Sequence, residues 1–302
     1  MRNRGFEAEV SYNKSINKDF GFNVAFNMSA IKNKMTELDG DVSYIGLPTS
    51  VIHSLNFDQE VSRSAIGQPI GSFYAYKEDG LFQSEAEIKS YTNNKGELLQ
   101  PNAKPGDIKF VDVNGDGVID GNDRDYIGNP LPDVTAGLTL GVNFHNFDLS
   151  LFFQGMFGND VYDLTSYVGD FYNQSQYNKN SRVVNAWTPT NTNTDIPRVT
   201  MDDPNNNIRP SSYYVQDASF VRLKNMKIGY SVPQSILSKI KFNSLYIYAQ
   251  ATNLFTITGY DGIDPEVGLQ SYSSDYRNLD MGVDRGIYPL SRTFTFGVNV
   301  SF

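Results

Sequence analysis

The chain has 302 residues, enough for a large core or two domains, and its 34 Asp and Glu outnumber its 25 Lys and Arg to give a net charge of −9. This acidic balance argues against a nucleic-acid partner, because no basic patch is available to neutralise phosphates. The absence of cysteine excludes disulfides, thiol catalysis and cysteine-based zinc sites, and no run of about eighteen apolar residues could form a transmembrane helix.

The aromatic content is high for so polar a chain. There are 19 Tyr and 20 Phe against one Trp, together with 25 Gly. Many aromatic residues and glycines with few long apolar runs favour β-structure with long polar loops. From Met1 the chain leads straight into a strand pattern with no apolar signal segment, so we expect no signal peptide within it.

Apolar side chains recur at every second position in seven segments, which predicts seven long strands. In chain order they are residues 5–16, 20–30, 134–144, 147–154, 213–232, 245–252 and 291–302. Residues 17–19 predict a tight turn between the first two strands, and His145-Asn146 predicts a two-residue turn between the next two. The alternation is irregular near residues 222–225, which predicts a β-bulge there.

The last strand has the clearest pattern. Its apolar face consists of Phe294, Phe296, Val298, Val300 and Phe302, and the residues between them are polar or glycine. Such a strand is about as long as a tilted strand that crosses a bilayer, roughly 9–11 residues. By itself the pattern is equally typical of a lipid-facing strand and of a long core strand in a soluble protein.

The connections between the strands alternate in length. Short ones at residues 16–19, 145–146 and 232–242 alternate with long ones at about 36–132, 158–212 and 259–290. Within the first long connection, residues 70–82 predict a short strand, and Ser84 with Glu87 predicts a capping box that opens a short helix. Residues 233–238 predict one helical turn.

This sorting of loops by length favours an outer-membrane barrel, which has short periplasmic turns and long extracellular loops. Seven strands would leave two unpaired edges in lipid, and the bilayer does not tolerate that. We therefore expect an all-β chain that forms the C-terminal part of a large transmembrane β-barrel. Its long loops would be extracellular and its C-terminus periplasmic.

Residues 112–123 form the most specific local motif. Asp112, Asn114, Asp116, Asp120 and Asp123 occupy positions 1, 3, 5, 9 and 12 of a calcium-like loop. Gly117 stands where the chain must turn sharply, and Val118 would offer only its backbone carbonyl. Four carboxylates in one loop predict Ca²⁺ binding, although position 12 is Asp rather than Glu and the flanks are not EF-hand helices. The alternative is a polar turn that binds nothing.

Other candidate chemistry is sparse. His145 is predicted to be a solvated turn residue, and His53 has no accompanying nucleophile motif, so no catalytic residue is predicted. The loop carboxylates are numerous enough to pair by chance; they include Glu85, Glu87, Asp202 and Asp203. The loop aromatic residues are predicted to pack loops together rather than stack on sugars or peptides; they include Tyr162, Tyr167, Tyr172, Trp187, Tyr213, Tyr214, Tyr272 and Tyr276.

Seven stretches in this order resemble the C-terminal portion of the SusC/RagA family of TonB-dependent outer-membrane transporters. They are residues 106–112 (GDIKFVD), 127–133 (IGNPLPD), 147–155 (FDLSLFFQG), 217–225 (DASFVRLKN), 252–256 (TNLFT), 262–266 (GIDPE) and 288–292 (YPLSR). Each stretch alone is weak, but together they extend over nearly the whole chain.

The resemblance implies a 22-stranded barrel of which these would be the last strands, with an N-terminal plug and a TonB-contacting segment that we do not find in residues 1–302. It also implies a SusD-like surface lipoprotein that covers the barrel during the import of oligosaccharides or peptides. Two other classes stay open from the residues themselves. One is a secreted, calcium-stabilised β-sandwich that binds glycans or acts as an adhesin, and a weaker one is a glycosidase fragment.

Overall fold

The computed structural model describes residues 1–46, 60–172, 178–240, 242–268, 279 and 281–302. Its strands in chain order are β1 (Arg2–Ser15), β2 (Phe20–Lys34), β3 (Tyr44–Gly46), β4 (Ser62–Ala65), β5 (Ser72–Tyr76), β6 (Glu78–Leu81), β7 (Ile108–Phe110), β8 (Arg124–Gly128), β9 (Val134–Phe144), β10 (Phe147–Phe157), β11 (Asp160–Asp163), β12 (Val215–Asp217), β13 (Phe220–Ser231), β14 (Ser244–Thr252), β15 (Thr256–Thr258), β16 (Val283–Asp284) and β17 (Thr293–Ser301). The α-helices are α1 (Glu85–Ser90), α2 (Thr165–Gly169) and α3 (Gln234–Ile240), and short 3₁₀ turns lie at Gly121–Asp123, Ser181–Asn185 and Ser212–Tyr214. Within these ranges, no helix is long and apolar enough to span a membrane.

The seven long strands form one antiparallel sheet in the order β1-β2-β9-β10-β13-β14-β17, and β15 also pairs with β13. All seven were predicted. The fifth begins at Phe220 rather than at residue 213, because residues 215–217 form β12 and pair with β11 in another sheet. The chain is therefore all-β in its main architecture, as expected.

The strand register brings the apolar residues of all seven strands onto one face of the sheet. Opposite pairs on this face include Ala249 with Phe296 between β14 and β17, and Leu140 with Leu151 between β9 and β10. The polar residues meet in the same way on the other face, where Gln250 lies opposite Thr295. A slip of one residue would exchange the two faces, so the alternation excludes register shifts by an odd number of residues.

The apolar face of this sheet is exposed. Large side chains on it remain open, with Val10 at 68% and Phe296 at 81% of their full exposure. A β-sandwich would bury such a face under a second sheet. An uncovered apolar face that continues across seven strands suits contact with lipid.

A β-bulge interrupts β13 at Lys224, as the irregular alternation predicted. Phe152 of β10 lies opposite Asn225, whereas the next residue, Phe153, lies opposite Leu223. The extra residue shifts the phase of the strand, so that Leu223 and Met226 both reach the apolar face. The bulge therefore reconciles two halves of a strand whose hydrophobic patterns differ by one position.

The short connections lie together at one end of the seven strands. The His145 backbone N–H donates to the Asp19 carbonyl at 2.6 Å, and the Ser231 N–H donates to the Asn146 carbonyl at 2.8 Å. These bonds join three successive turns. His145 has a φ of 52°, as a two-residue hairpin turn requires.

The long connections, at the opposite end of the strands, are folded rather than extended. They contain a four-stranded sheet (β3-β4-β5-β8), a three-stranded sheet (β12-β11-β16) and the β6-β7 pair. The predicted strand at residues 70–82 is two strands, β5 and β6, and Ser84 caps α1 by accepting the Glu87 N–H. The predicted helical turn at residues 233–238 is α3.

The largest buried core of the described residues lies within this loop region. Its members are Val61, Phe73, Leu81, Ile108, Phe110, Tyr162, Leu164, Tyr167, Phe171, Trp187, Ile208, Tyr214, Leu279 and Val283. They come from all three long connections. The loops therefore form a packed unit at one end of the seven long strands, while the sheet itself exposes its apolar side.

Candidate binding region in the long loops

Buried polar side chains tie the first two long connections together. Asp107 has no exposed surface, and its carboxylate accepts hydrogen bonds from the Lys104 N–H at 2.8 Å and from Asn207 Nδ2 at 3.0 Å. Arg198 Nε lies 2.6 Å from the same carboxylate. Because a buried carboxylate is stable only when its oxygens are satisfied, these partners hold residue 107 against residues 198–207.

A first cleft of about 840 Å³ opens between these loops. It is lined by Glu78, Asp79, Gly80, Leu81, Gln83, Glu87, Ile108, Lys109, Arg182, residues 192–195, Ser212, Tyr213, Val215, Gln216 and Asp261. Lys109 Nζ lies 2.7 Å from Asp79 and 3.3 Å from Glu87, so this cation is already paired at the wall.

A second cleft of about 560 Å³ lies beside the first and shares Arg182 and Asp261 with it. Its other lining residues are Asp163, Thr165, Ser166, Asn180, Ser181, Gly262, Ile263 and Asp284. Both volumes fall in the range of about 300–1,000 Å³ that is usual for small-molecule sites.

Arg182 is held firmly at this junction. Its guanidinium forms an ion pair with Asp170, donates from Nη2 to Ser166 Oγ at 2.8 Å, and lies near the Tyr213 ring. Tyr213 Oη donates to the same Asp170 carboxylate at 2.8 Å. Burial, with the nearby Asp170 charge, raises the pKa of Tyr213 well above its ordinary value, so the phenol stays protonated and keeps this hydrogen bond.

A charged cluster of Arg222, Lys224, Asp264 and Glu266 fixes the third long connection to the polar face of the sheet. Arg222 is 2% exposed, and it donates to Asp264 at 2.6 Å and to Glu266 at 2.9 Å. Lys224, the residue at the bulge, donates to Glu266 at 2.7 Å. Two cations of β13 thus neutralise two carboxylates that lie 42 residues or more further along the chain.

Asp264 also accepts backbone hydrogen bonds from Glu266 at 2.9 Å and from Leu290 at 3.2 Å. Burial opposes ionisation, but the Glu266 N–H, Arg222 and the Leu290 N–H outweigh it and lower the pKa of Asp264. The cluster therefore also holds the start of the segment that leads into the last strand.

In the predicted calcium loop, the candidate side chains cap turns of the loop itself. Asp112 accepts the Gly115 and Gly117 N–H groups at 2.8 and 2.9 Å, and Asp123, which is fully buried, accepts the Val113 and Asp120 N–H groups. The remaining candidates do the same within the loop: Asn114 accepts from Asp116, Asp116 from Val118, and Asp120 from Asn122. Among the described residues, no three Asp, Glu, His or Cys side chains are grouped so as to hold a metal ion. Calcium binding at residues 112–123 stays a prediction.

The other sequence candidates take structural roles or lie apart. His145 is in its turn as predicted, 3.6 Å from Asp19, while His53 lies outside the described residues. Glu87 pairs with Lys109, and the buried Asp203 accepts the Asn207 N–H at 2.8 Å. Glu85 and Asp202 are exposed.

Most of the loop aromatic residues that the structure describes pack the loop core, as predicted. Those with 7% exposure or less are Tyr162, Tyr167, Trp187 and Tyr214. Tyr172 is 40% exposed, and Tyr272 and Tyr276 lie outside the described residues.

Sequence reasoning missed Arg182, Asp170 and the two clefts. No local motif surrounds these residues, and Asp261 is 79 residues beyond Arg182. The charged cluster had a signal, because its members belong to the stretches 217–225 and 262–266 that carried the resemblance. Their pairing in space was not visible in the sequence.

The chain matches no protein-family model. It is similar along its whole length to curated proteins. TonB-dependent receptor P3 of Formosa agariphila is 37% identical over 303 residues, and TonB-dependent receptor SusC of Bacteroides thetaiotaomicron is 27% identical over 307 residues. The chain spans 29% and 26% of the length of these two relatives.

A solved structure shares the fold. The structure of the RagAB peptide transporter superposes with a TM-score of 0.74 at 23% identity, covering 99% of this chain and 29% of that one. The fold of this chain is that of the C-terminal barrel portion of a TonB-dependent receptor.

Proposed function

Because this chain is homologous over its whole length to TonB-dependent receptors of the SusC/RagA family, we propose that it supplies the C-terminal wall and extracellular loops of an outer-membrane importer of nutrients. The wall strands would separate lipid from a polar lumen. The folded long loops would face the outside of the cell and meet the substrate. The chain itself would contribute binding and barrier surfaces rather than catalysis.

The observation that carries this proposal is the inversion of the usual burial pattern. The side chains of β17 that alternate toward the apolar face are exposed, whereas the buried core lies in the connections. In water such a sheet would aggregate through its apolar face. In a bilayer the same face is solvated by lipid, and the closed barrel satisfies its backbone groups.

The names of the homologues support a proposal about the partners. One relative is named SusC, and the solved neighbour is described as a peptide transporter. We propose a SusD-like lipoprotein as the partner at the loop side, and oligosaccharides or peptides as the imported substrates. Energy would come from TonB through a part of the full-length protein that precedes these residues.

Residues 1–302 contain no cysteine, so single cysteines introduced here test the wall assignment once any cysteine elsewhere in the full-length protein has been replaced by serine. Phe296→Cys and Thr295→Cys change adjacent positions of β17 that lie on opposite faces of the sheet. In the full-length protein reconstituted in lipid, we expect the Phe296→Cys variant to react with a membrane-partitioning maleimide and the Thr295→Cys variant to react with a water-soluble one. The second variant is the matched control, since it differs by one position.

Equal reaction of both variants with the water-soluble reagent would contradict the barrel wall, because it would place Phe296 in water rather than in lipid. A folded, monodisperse protein in detergent-free buffer would also contradict it and would favour a soluble β-protein. The secreted sandwich alternative requires this second result, and it predicts that Phe296→Cys reacts with neither reagent while the protein is folded, since its apolar face must be buried in protein.

A further inference from the structure

The two clefts in the loop region meet at a single pair of side chains. Arg182 and Asp261 line both cavities, and Arg182 Nη1 lies 3.9 Å from the Asp261 carboxylate, beyond hydrogen-bond distance. The Asp261 side chain is 75% exposed. This loose pair, called the partition below, therefore lies where the two clefts meet.

The two sides of the partition are held differently. Arg182 is fixed by Asp170 and Ser166, which occupy its Nε and Nη2 atoms. Asp261 is held through its backbone, whose N–H donates to Gln216 Oε1 at 3.1 Å, and by the charged cluster that begins three residues later. Its carboxylate is thus positioned at the junction without being committed to a strong partner.

The walls around the junction carry an excess of negative charge. The first cleft has five carboxylates (Glu78, Asp79, Glu87, Asp195 and Asp261) against two cations, Lys109 and Arg182. Lys109 is paired with Asp79 and Glu87, and Arg182 with Asp170. Asp195 and Asp261 remain as exposed carboxylates at the opening, where they attract cations and repel anions.

We propose that the two clefts form one extended binding site for a cationic oligomer, which passes across the Arg182–Asp261 partition. Protonated amines of the ligand would pair with Asp195 and Asp261. A ligand carbonyl or hydroxyl oxygen would accept a hydrogen bond from Arg182 Nη1, whose distance of 3.9 Å from Asp261 leaves it free to turn to a ligand. This inference rests on the proposed function, and it names the class of substrate that the loops select.

Amines of this kind come from lysine-containing peptides or from amino-sugar oligomers. We would therefore measure binding of four probes to the full-length protein in detergent by isothermal calorimetry. They are a lysine-glycine hexapeptide, a glutamate-glycine hexapeptide, a glucosamine oligomer and its fully N-acetylated neutral counterpart. We expect each cationic probe to bind about tenfold or more tightly than its matched anionic or neutral probe, and added salt to reduce the difference.

Single substitutions distinguish binding of the cationic probe in the two clefts from its nonspecific attraction to the acidic surface of the protein. Asp261→Asn should weaken binding of the cationic probe roughly threefold to fivefold, the usual range for an exposed ion pair. Asp202→Asn is the matched control, because Asp202 is an exposed acid that lines neither cleft. A lysine-glycine tripeptide should bind more weakly than the hexapeptide, since it can fill one cleft only.

Equal or tighter binding of the glutamate peptide, or equal effects of Asp261→Asn and Asp202→Asn, would overturn the proposal. So would a hexapeptide that binds no better than the tripeptide. These results would leave the transporter assignment intact if the Phe296→Cys variant still reacts from lipid. Conversely, water-soluble labelling of the Phe296→Cys variant together with selective cation binding would reject the barrel wall and retain the site.

Discussion

Replacing Arg222 with methionine tests how the third long connection is attached to the barrel wall. Arg222 is 2% exposed and contacts Asp264 at 2.6 Å, Glu266 at 2.9 Å and Thr256 at 2.7 Å. Methionine keeps much of the side-chain volume but removes the charge. Asp264 would then lose its cation, and Glu266 would keep only Lys224.

The size of the effect follows from the burial of the pair. Removing one partner of a buried ion pair costs about 3–5 kcal/mol, because the remaining charge is left without compensation. The cost should fall on local opening of the loop rather than on the whole barrel, since the wall strands keep their ladders. It corresponds to roughly a hundredfold or greater loss of hydrogen-exchange protection.

The assay is hydrogen–deuterium exchange of the full-length protein in detergent, followed by mass spectrometry of a peptide that covers residues 256–268. The Glu266 amide in this peptide reports directly, because it donates to Asp264. A second peptide that covers residues 286–292 reports on the Leu290 amide, which donates to the same carboxylate. Arg292→Met is the control, since Arg292 is an exposed arginine next to the last strand.

A double variant sharpens the test. Arg222→Met combined with Asp264→Asn removes one charge of each sign and leaves the Lys224–Glu266 pair at 2.7 Å. It should recover part of the lost protection. If Arg222→Met loses no more protection than Arg292→Met, the charged cluster does not hold the loop, and the reasoning from buried charge is refuted.

Three further predictions follow from the same structure. Because the pKa of Asp264 is lowered in the folded state, the stabilising effect of its carboxylate is complete above its ordinary pKa of about 3.9 and is lost as pH falls through the lowered value. Hydrogen-exchange protection of residues 256–268 should therefore not change near neutral pH and should fall only in acid. A fall in protection between about pH 8 and pH 6 would contradict this reasoning. Calcium should protect residues 112–123 from proteolysis in the wild type and not in Asp112→Asn; no protection at millimolar calcium would reject the predicted site. In intact cells, the Asp202→Cys variant should react with an impermeant maleimide and the His145→Cys variant should react only after permeabilisation; the reverse pattern would invert the proposed orientation.

The alternation of apolar residues determined the seven wall strands, which side chains share a face, and the approximate place of the bulge, because side-chain direction in a strand depends only on local position. In β13 the phase of the pattern changes between Leu223 and Met226, which agrees with the predicted range of 222–225, and the strand pairing then places the extra residue at Lys224. The lengths of the connections likewise distinguished the two ends of the strands, one with short turns and the other with long loops. These are local properties, and the resemblance to known transporters used the same local stretches.

Only the tertiary structure decided what the long connections do. Their strands have two to five residues, too short for a clear period, and their core gathers residues from three connections that lie far apart in the chain. The pairing of Arg222 with Asp264 and the meeting of Arg182 with Asp261 depend on how those connections fold back. A charged residue in a sequence carries no mark of its partner, because the partner is set by the path of the chain in space.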